Sequence, residues 1–343
     1  MRDELRAVVL PLLDGHDIDA DQMEHAVGAI MDGRCEPVEM ASLLTALRCR
    51  GESVAQLVGA ARAMRARSLK IVCRRQGLLD TCGTGGDALH TFNISTATAF
   101  VAAAAGAAVA KHGNRSASSK SGSADVLEAL GVSLDLTPEQ TAQCIDELGL
   151  GFCFAPRLHA AMKSAAPVRQ QLGFRTIFNL LGPLTNPAQA EYQLIGAGRT
   201  HLAELLAKAL CQLRTQRALV VSGNDELDEV SLWGETTVFF VESGQVRREL
   251  WTPKTLGLPV CDVAALRVSS PAESASVIRQ VLTGESGPPR DIVLANGAAA
   301  LVACGRAETA AEGVARSREA IDSGRAWRLL EQFASRTQSL SQS

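Results

Sequence analysis

The sequence has few aromatic residues, no long apolar run and no excess of either charge. Phe, Trp and Tyr make up 4% of the 343 residues, so the apolar volume must come mainly from Ala, Val and Leu. The longest apolar stretch, which includes residues 100–110, is far shorter than the roughly 20 residues that a membrane-spanning helix needs. With 34 Lys and Arg against 37 Asp and Glu, the net charge of −3 gives no overall attraction for polyanions. We therefore expect no membrane and no nucleic acid as a partner, and any phosphate ligand must be held by a local site.

Cysteine pairs with metal-binding or redox spacing are also absent. The nine cysteines are scattered and include no Cys-x-x-Cys pair, which argues against a zinc site and against a disulfide framework. The opening segment MRDELRAVVLPLLDG has acidic residues beside its first basic ones and does not resemble a secretory signal. We expect reduced thiols and a cytoplasmic protein.

Two patterns follow each other along the chain. Apolar residues recur at helical spacing through about the first seventy residues, which predicts a compact helical part. From residue 78 onward, short apolar runs alternate with helical segments, as is typical of an α/β layer. Beyond Pro271 three helical patterns run to about residue 334, and we expect the polar tail after Arg336 to fray.

A glycine-rich segment follows the strand predicted at residues 78–82. Residues 83–87, Gly-Thr-Gly-Gly-Asp, leave room for a ligand at the backbone amides, and the first amides of a helix beginning near Ser95 form an anion site. The spacing matches neither the dinucleotide fingerprint nor the P-loop, so neither NAD nor a nucleoside triphosphate is favoured. Taken alone, the segment is explained equally well as a glycine turn with Ser95 as a helix cap.

A second cluster of phosphate-binding side chains follows the apolar run at residues 107–110. Residues 111–123 contain two Lys, one Arg, five serine hydroxyls and two glycines. A solvated surface loop is the other interpretation, but loops that directly follow buried strands hold ligands in open α/β sheets. Two such loops, separated by one strand and one helix, predict a substrate with two phosphorylated ends.

Two carboxylates and one arginine complete the candidate set. Asp228 and Glu229 come soon after the apolar run at 218–221, where carboxylates near phosphate loops suit Mg²⁺; a solvated acidic turn is the other interpretation. Arg169 lies in the connecting segment 165–187, where a guanidinium suits a carboxylate ligand, although a lone Arg is also common at surfaces. No transition-metal motif and no covalent nucleophile are indicated.

Together these segments resemble the anthranilate phosphoribosyltransferases. The resemblance covers nearly the whole chain, and its motifs are residues 80–87 (DTCGTGGD), 91–96 (TFNIST), 111–116 (KHGNRS), 121–125 (SGSAD), 166–169 (APVR), 175–187 (RTIFNLLGPLTNP) and 227–229 (LDE). It implies transfer of the phosphoribosyl group from phosphoribosyl pyrophosphate (PRPP) to the amine of anthranilate, with release of pyrophosphate, in tryptophan biosynthesis.

The resemblance also implies a fold and an assembly. The expected fold class is α/β, with a small all-helical N-terminal domain and a larger α/β domain whose central mixed sheet is flanked by helices. We place the helical domain at residues 1–72, completed by part of 165–190, and the PRPP-binding α/β domain at residues 73–343. A homodimer is expected.

Roles for individual residues follow from the same motifs. Ser95, Asp228 and Glu229 would hold Mg²⁺, with two ions per active site, and Gly83, Asn114 and Arg169 would contact anthranilate. Lys111, Asn114 and Arg169 are the expected catalytic residues. The expected PRPP ligands are Gly83, Gly86, Asp87, Thr91, Asn93, Ile94, Ser95, Thr96, Lys111, His112, Gly113, Asn114, Arg115, Ser116, Ala117, Ser118, Ser119 and Ser123. An aromatic amine is already neutral near pH 7, so positioning and charge stabilisation would supply most of the rate.

The sequence departs from the family pattern at four positions. Leu158 and Ala160 replace a His and a Pro in the segment 154–162, which puts the anthranilate entrance in doubt. Ala88 and Glu226 stand where Gly is common, and we expect both to affect loop conformation.

Two rival functions remain open at this point. A pyrimidine nucleoside phosphorylase shares the fold and a similar Lys-His-Gly loop, but the segment 180–187 and the Val168-Arg169 pair favour the transferase. A non-catalytic, nucleic-acid-binding homologue would carry a basic groove, against which the net charge of −3 and Arg169 both count.

Overall fold

The computed structural model describes residues 1–115 and 121–342. Its N-terminal part is helical, as the apolar periodicity predicts: α1 (Asp3–Leu13), α2 (Ala20–Met31), α3 (Pro37–Arg50) and α4 (Val54–Arg67). Capping boxes begin α2 at Asp19 and α4 at Ser53, because each of these side chains accepts a hydrogen bond from the backbone N–H three residues later.

A seven-stranded mixed sheet forms the centre of the molecule. Its strands are β1 (Leu78–Gly83), β2 (Ala108–Gly113), β3 (Leu150–Phe154), β4 (Tyr192–Gly196), β5 (Arg217–Gly223), β6 (Thr236–Glu242) and β7 (Gln245–Trp251). The spatial order is β3-β2-β1-β4-β5-β6-β7, with the first five strands parallel and β6 and β7 antiparallel. The expected mixed sheet is confirmed.

Strand order places a crevice between β1 and β4. From β1 the chain continues to β2 and β3 on one side, whereas β4 lies on the other side of β1 and continues to β5. Open α/β sheets bind ligands outside the carboxyl ends of the strands at such a switch point. The residues after β1, β4 and β5 are therefore brought to one place.

Helices cover both faces of the sheet. They are α5 (Ile94–Ala104), α6 (Ser123–Ala129), α7 (Pro138–Leu148), α8 (Ala155–Leu158), α9 (Ala166–Leu172), α10 (Phe178–Leu181), α11 (Thr200–Gln212), α12 (Pro253–Leu256), α13 (Pro271–Leu282), α14 (Pro288–Ala303), α15 (Ala310–Asp322) and α16 (Arg325–Ser341). None of the helices in the described part of the chain combines the length and apolar content that a membrane crossing requires.

Two large apolar clusters form the core, one on each face of the sheet. The first joins α5 to α13–α16, and the second joins α1–α4 to α11. Val168, Phe178 and Leu181 belong to the second cluster, so part of the segment 165–190 packs with the N-terminal helices. The predicted boundary between the helical domain and the α/β domain, at residues 72 and 73, stays a prediction.

The C-terminal expectation is wrong in two respects. Four helices follow Ser270 instead of three, and α16 continues to Ser341 where fraying was expected. The last turns are held from outside, because Gln140 Nε2 donates to the Leu340 carbonyl (2.7 Å) and Ser133 N donates to Thr337 Oγ1 (3.0 Å). Tertiary contacts therefore stabilise a segment whose composition alone suggests a loose tail.

Candidate active site

The carboxyl end of β1 and the loop after β5 meet at Asp228. Its Oδ2 accepts a hydrogen bond from Gly85 N at 2.8 Å. A Cβ on Gly83 would lie 2.5 Å from the same oxygen, and a Cβ on Gly196 at the end of β4 would overlap the Asp228 carbonyl group. Only glycine at these two positions lets the loop that carries Asp228 and Glu229 approach the ends of β1 and β4 so closely. The structure thus brings the predicted glycine loop and a predicted metal ligand together.

Asp228 and Glu229 share a desolvated position, and the Asp87 carboxylate lies close to Asp228. Desolvation raises the pKa of Asp228 and of Glu229, and repulsion from Asp87 raises the Asp228 pKa further. Among the residues described, no group of three or more His, Cys, Asp or Glu is arranged to hold a metal by itself. Mg²⁺ typically takes one or two carboxylates and completes its shell with water and phosphate oxygens. The mutually repelling carboxylates therefore fit a divalent cation that is shared with a phosphorylated ligand.

Lys111, on β2, supplies a buried positive charge beside this cluster. Only 2% of the residue is exposed, and its ammonium donates to the Thr81 carbonyl and to Ser95 Oγ, the latter at 3.1 Å. Burial lowers the pKa of Lys111, whereas Glu229 and Asp228 oppose that shift. The cation is thus placed between β1 and the start of α5.

The N-terminus of α5 faces the same space. Asn93 caps the helix, since its Oδ1 accepts from Thr96 N at 3.0 Å, and Ser95 Oγ lies 3.2 Å from that oxygen. Asn93 Nδ2 in turn donates to the Ser121 carbonyl at 2.8 Å. The first amides of α5 and the polar side chains around them lie where the sequence predicts an anion site, and that site stays a prediction.

Arg169 and Arg175 both lie on the connecting segment, residues 165–187. The Arg169 guanidinium lies 5.5 Å from the centre of the Phe178 ring, and burial lowers its pKa. Arg175 Nη1 donates to the Gly86 carbonyl at 3.3 Å, while its buried Nη2 has no hydrogen-bond partner among the described residues. Arg175 therefore joins the connecting segment to the glycine loop, a contact that its place in the RTIFN motif alone did not reveal.

A buried polar network sets the position of His112. Asp80 accepts from His112 N (2.9 Å) and from Asn186 Nδ2 (2.8 Å), and His112 Nδ1 lies 3.0 Å from the Gly182 carbonyl. The rings of His112 and His159 have their centres 5.2 Å apart. Desolvation lowers the pKa of His112 to about 4 and that of His159 to about 3, so both rings are neutral at pH 7. Sequence reasoning left Asp80, Asn186 and His159 without a role.

Two departures from the family pattern have a structural outcome. Ala88 has a φ of 62°, in the left-handed region that glycine adopts without strain, so the glycine-like backbone is retained at a steric cost. Leu158 is buried at 4% exposure, and its carbonyl accepts from Leu69 N at 2.9 Å.

Three of the remaining predicted PRPP ligands, Gly113, Arg115 and Ser123, lie at or after the end of β2, and four others fall outside the described residues. A Cβ on Gly113 would lie 3.1 Å from Ser123 Cβ, so those two residues are adjacent. The Arg115 guanidinium is paired with Asp125 (2.8 Å) and Glu128 (2.6 Å), so in this structure its Nη groups bind carboxylates of the chain itself. The expectations for Ser116, Ala117, Ser118 and Ser119 lie outside the described residues.

Two family models match this chain. One, the Glycosyl transferase family, helical bundle domain, matches residues 7–68. The other, the Glycosyl transferase family, a/b domain, matches residues 75–327.

Known proteins resemble the chain over nearly its whole length. It is 50% identical over 329 residues to the anthranilate phosphoribosyltransferase of Symbiobacterium thermophilum, covering 96% of each chain. The crystal structure of the Thermus thermophilus anthranilate phosphoribosyltransferase superposes with a TM-score of 0.92 at 42% identity, covering 98% of this chain and 100% of that one. The Saccharomyces cerevisiae enzyme in complex with PRPP and Mg gives a TM-score of 0.92 at 28% identity, covering 99% of each chain. This chain therefore belongs to the anthranilate phosphoribosyltransferase family.

Proposed function

We propose that the crevice between β1 and β4 transfers the phosphoribosyl group from PRPP to the amine of anthranilate and releases pyrophosphate. The reaction belongs to tryptophan biosynthesis. The observation that carries this proposal is the approach of Asp228 to the glycine loop at Gly83 and Gly85, beside the buried Lys111. Glycine amides, a helix N-terminus, a lysine and paired carboxylates together suit a polyphosphate with a divalent cation.

PRPP is assigned to the glycine loop, the start of α5 and the end of β2. Phosphate oxygens would be held by the backbone amides of Gly86 and Asp87 and by those at the start of α5. Asn93 caps that helix by accepting from Thr96 N. Asp228, Glu229 and Ser95 are the proposed ligands of two Mg²⁺ ions, which supply charge neutralisation at the leaving pyrophosphate. The carboxylates' raised pKa values support a cation there, because a bound cation offsets their repulsion.

Lys111 is the proposed stabiliser of the departing oxygens. Two acceptors in the described part of the chain, the Thr81 carbonyl and Ser95 Oγ, occupy two of the three N–H donors of its ammonium. The third is left for substrate. As the bond from the anomeric carbon to pyrophosphate lengthens, negative charge grows on the leaving group, and a cation already fixed in a desolvated site stabilises it without reorganisation.

Arg169 is the proposed anchor for the carboxylate of anthranilate, with Gly83 and Asn114 completing the acceptor side. Its guanidinium is held against Phe178 and partly desolvated, which strengthens a charge-assisted hydrogen bond to a carboxylate. The acceptor amine is neutral near pH 7 and attacks without a strong base. His112 and His159 have lowered pKa values and are neutral at pH 7.

A homodimer through the helical part is a further proposal. Leu13 on α1 and Val38 on α3 are 67% and 70% exposed, and these two helices pack against each other. Together with the dimer that the family resemblance implies, these exposed apolar side chains support a protein contact at the helical part. Light scattering tests this proposal: a mass twice that of one chain is expected, and a single-chain mass at micromolar concentration contradicts it.

A substrate panel tests the proposed reaction against its rivals. The purified chain is incubated with Mg²⁺, PRPP and anthranilate, and loss of anthranilate fluorescence is followed. Parallel samples receive uridine with inorganic phosphate, or labelled single-stranded DNA. Of these samples, we expect turnover only in the one that contains PRPP and anthranilate. Phosphorolysis of uridine, or salt-sensitive DNA binding without anthranilate turnover, contradicts the proposal.

A further inference from the structure

The proposed metal carboxylates lie on a loop that receives few hydrogen bonds from the sheet. Residues 224–235 leave β5 at Gly223 and return at the start of β6. Before the carboxylates, the loop is closed by Leu227 N donating to the Gly223 carbonyl at 2.8 Å. Asp228 itself is held by Gly85 N. The Glu229 carboxylate accepts from the backbone N–H of Ser95, and the backbone that carries Glu229 is held on its other side, at Val230.

A single side chain binds both backbone groups of Val230. Asn296 Oδ1 accepts from Val230 N at 2.9 Å, and Asn296 Nδ2 donates to the Val230 carbonyl at 3.2 Å. A third bond runs from Nδ2 to the Ile292 carbonyl at 2.9 Å, and it fixes the orientation of the amide. Asn296 has 0% exposure. The amide thus replaces the pairing that a neighbouring strand would give.

The helix that carries Asn296 is rigidly connected to the rest of the site. Asn296 lies in α14, which is buried along most of its length and packs against α5, β4 and β5. Helix α5 carries Ser95 near its N-terminus, and β4 ends at Gly196, against which Asp228 rests. A side chain on α14 therefore couples the position of Val230 to the same elements that place the other proposed metal ligands.

We infer that Asn296 is a positioning residue, which holds Val230 so that the adjacent Glu229 faces the divalent cation. This inference rests on the proposed function, in which Asp228 and Glu229 bind Mg²⁺. A buried asparagine in an apolar helix is costly unless its amide is fully hydrogen-bonded, and here two of its three bonds go to the residue after a proposed ligand. Residues that orient metal ligands typically change affinity about 10–100-fold when they are removed.

The test compares Asn296→Ala with Thr337→Val, a buried control on α16. Thr337 has 0% exposure and binds Ser133 N and the Ala334 carbonyl, so its variant also loses buried hydrogen bonds, yet it does not contact the carboxylate loop. The readout is Mn²⁺ binding in the presence of PRPP, measured from the electron paramagnetic resonance signal of free Mn²⁺. Thermal midpoints are measured on the same samples.

We expect Asn296→Ala to weaken Mn²⁺ binding by about 10-fold or more. Thr337→Val should lower the thermal midpoint and leave Mn²⁺ binding unchanged. If Asn296→Ala does not fold, Asn296→Ser, which keeps one hydroxyl for Val230, should give a smaller weakening. Wild-type Mn²⁺ affinity in a folded Asn296 variant overturns this inference but leaves the proposed metal site standing. A wild-type chain that binds no Mn²⁺ with PRPP overturns both the inference and the proposed metal site.

Discussion

Replacing Gly83 by Ala should move a proposed metal ligand by a distance that the structure defines. The added Cβ would lie 2.5 Å from Asp228 Oδ2, whereas ordinary contacts begin at 3.4 Å. The carboxylate must then retreat by about 0.9 Å to relieve the overlap. The same oxygen accepts from Gly85 N at 2.8 Å, so the retreat lengthens or breaks that hydrogen bond.

The expected effect on activity is larger than the effect on stability. Misplacing a catalytic group by about 1 Å can cost on the order of 100-fold in rate, whereas overpacking of this kind typically costs about 1–3 kcal/mol of folding free energy. Gly83→Ala should therefore fold, with kcat lowered by roughly 100-fold. Its half-saturating Mg²⁺ concentration should rise, because the displaced Asp228 carboxylate is a proposed Mg²⁺ ligand.

The assay measures initial rates of anthranilate consumption over a Mg²⁺ titration at saturating PRPP. Gly182→Ala is the matched control, because an added Cβ there would meet none of the other described residues within 4 Å and its φ of −47° suits alanine. The control should keep wild-type kinetics. A folded Gly83→Ala variant with wild-type kcat and Mg²⁺ response would refute the reasoning.

Three further predictions concern single side chains. Arg169→Ala should raise the KM for anthranilate with little change in the KM for PRPP, and an unchanged anthranilate KM would exclude the proposed carboxylate contact. Ala88→Gly should stabilise the chain by about 1 kcal/mol, because it relieves a left-handed alanine at a φ of 62°; a lower free energy of unfolding in urea would contradict this. His112 has a folded pKa of about 4 against an ordinary value of 6.5, so the unfolded chain binds more protons between these pH values. The neutral His112 ring therefore contributes about 3 kcal/mol to the free energy of unfolding. This contribution is fully present above pH 6.5 and is lost as the pH falls towards 4. The stability difference between wild type and His112→Asn should thus shrink from pH 7 to pH 5, and a constant difference would count against the neutral ring.

Local patterns predicted the helical N-terminus and most of the sheet, because periodicity and capping residues act over a few positions. Ser53 begins α4, and residues 78–82 fall within β1. The two edge strands were not predicted. In β7 six of the seven residues are at least partly exposed, so its apolar signal is weak, and β3 follows α7 after only Gly149, without a longer turn.

Long-range contacts account for what the sequence did not reveal at the site. Arg175 and Gly86 are 89 positions apart, and Asn296 and Val230 are 66 positions apart. Neither pair carries a local spacing signal, since only the strand order brings them together. The resemblance named the expected ligand-contacting residues, whereas the residues that hold them in place are visible only in the fold.

The most direct test of the central claim follows pyrophosphate and anthranilate together in the wild type and in the double variant Asp228→Asn, Glu229→Gln. The wild type should release one pyrophosphate per anthranilate consumed, with activity removed by EDTA and restored by Mg²⁺. The double variant should lose this Mg²⁺-dependent turnover while retaining its fold by circular dichroism. A double variant with the wild-type Mg²⁺ response, or a wild type that consumes anthranilate without releasing pyrophosphate, would contradict the account.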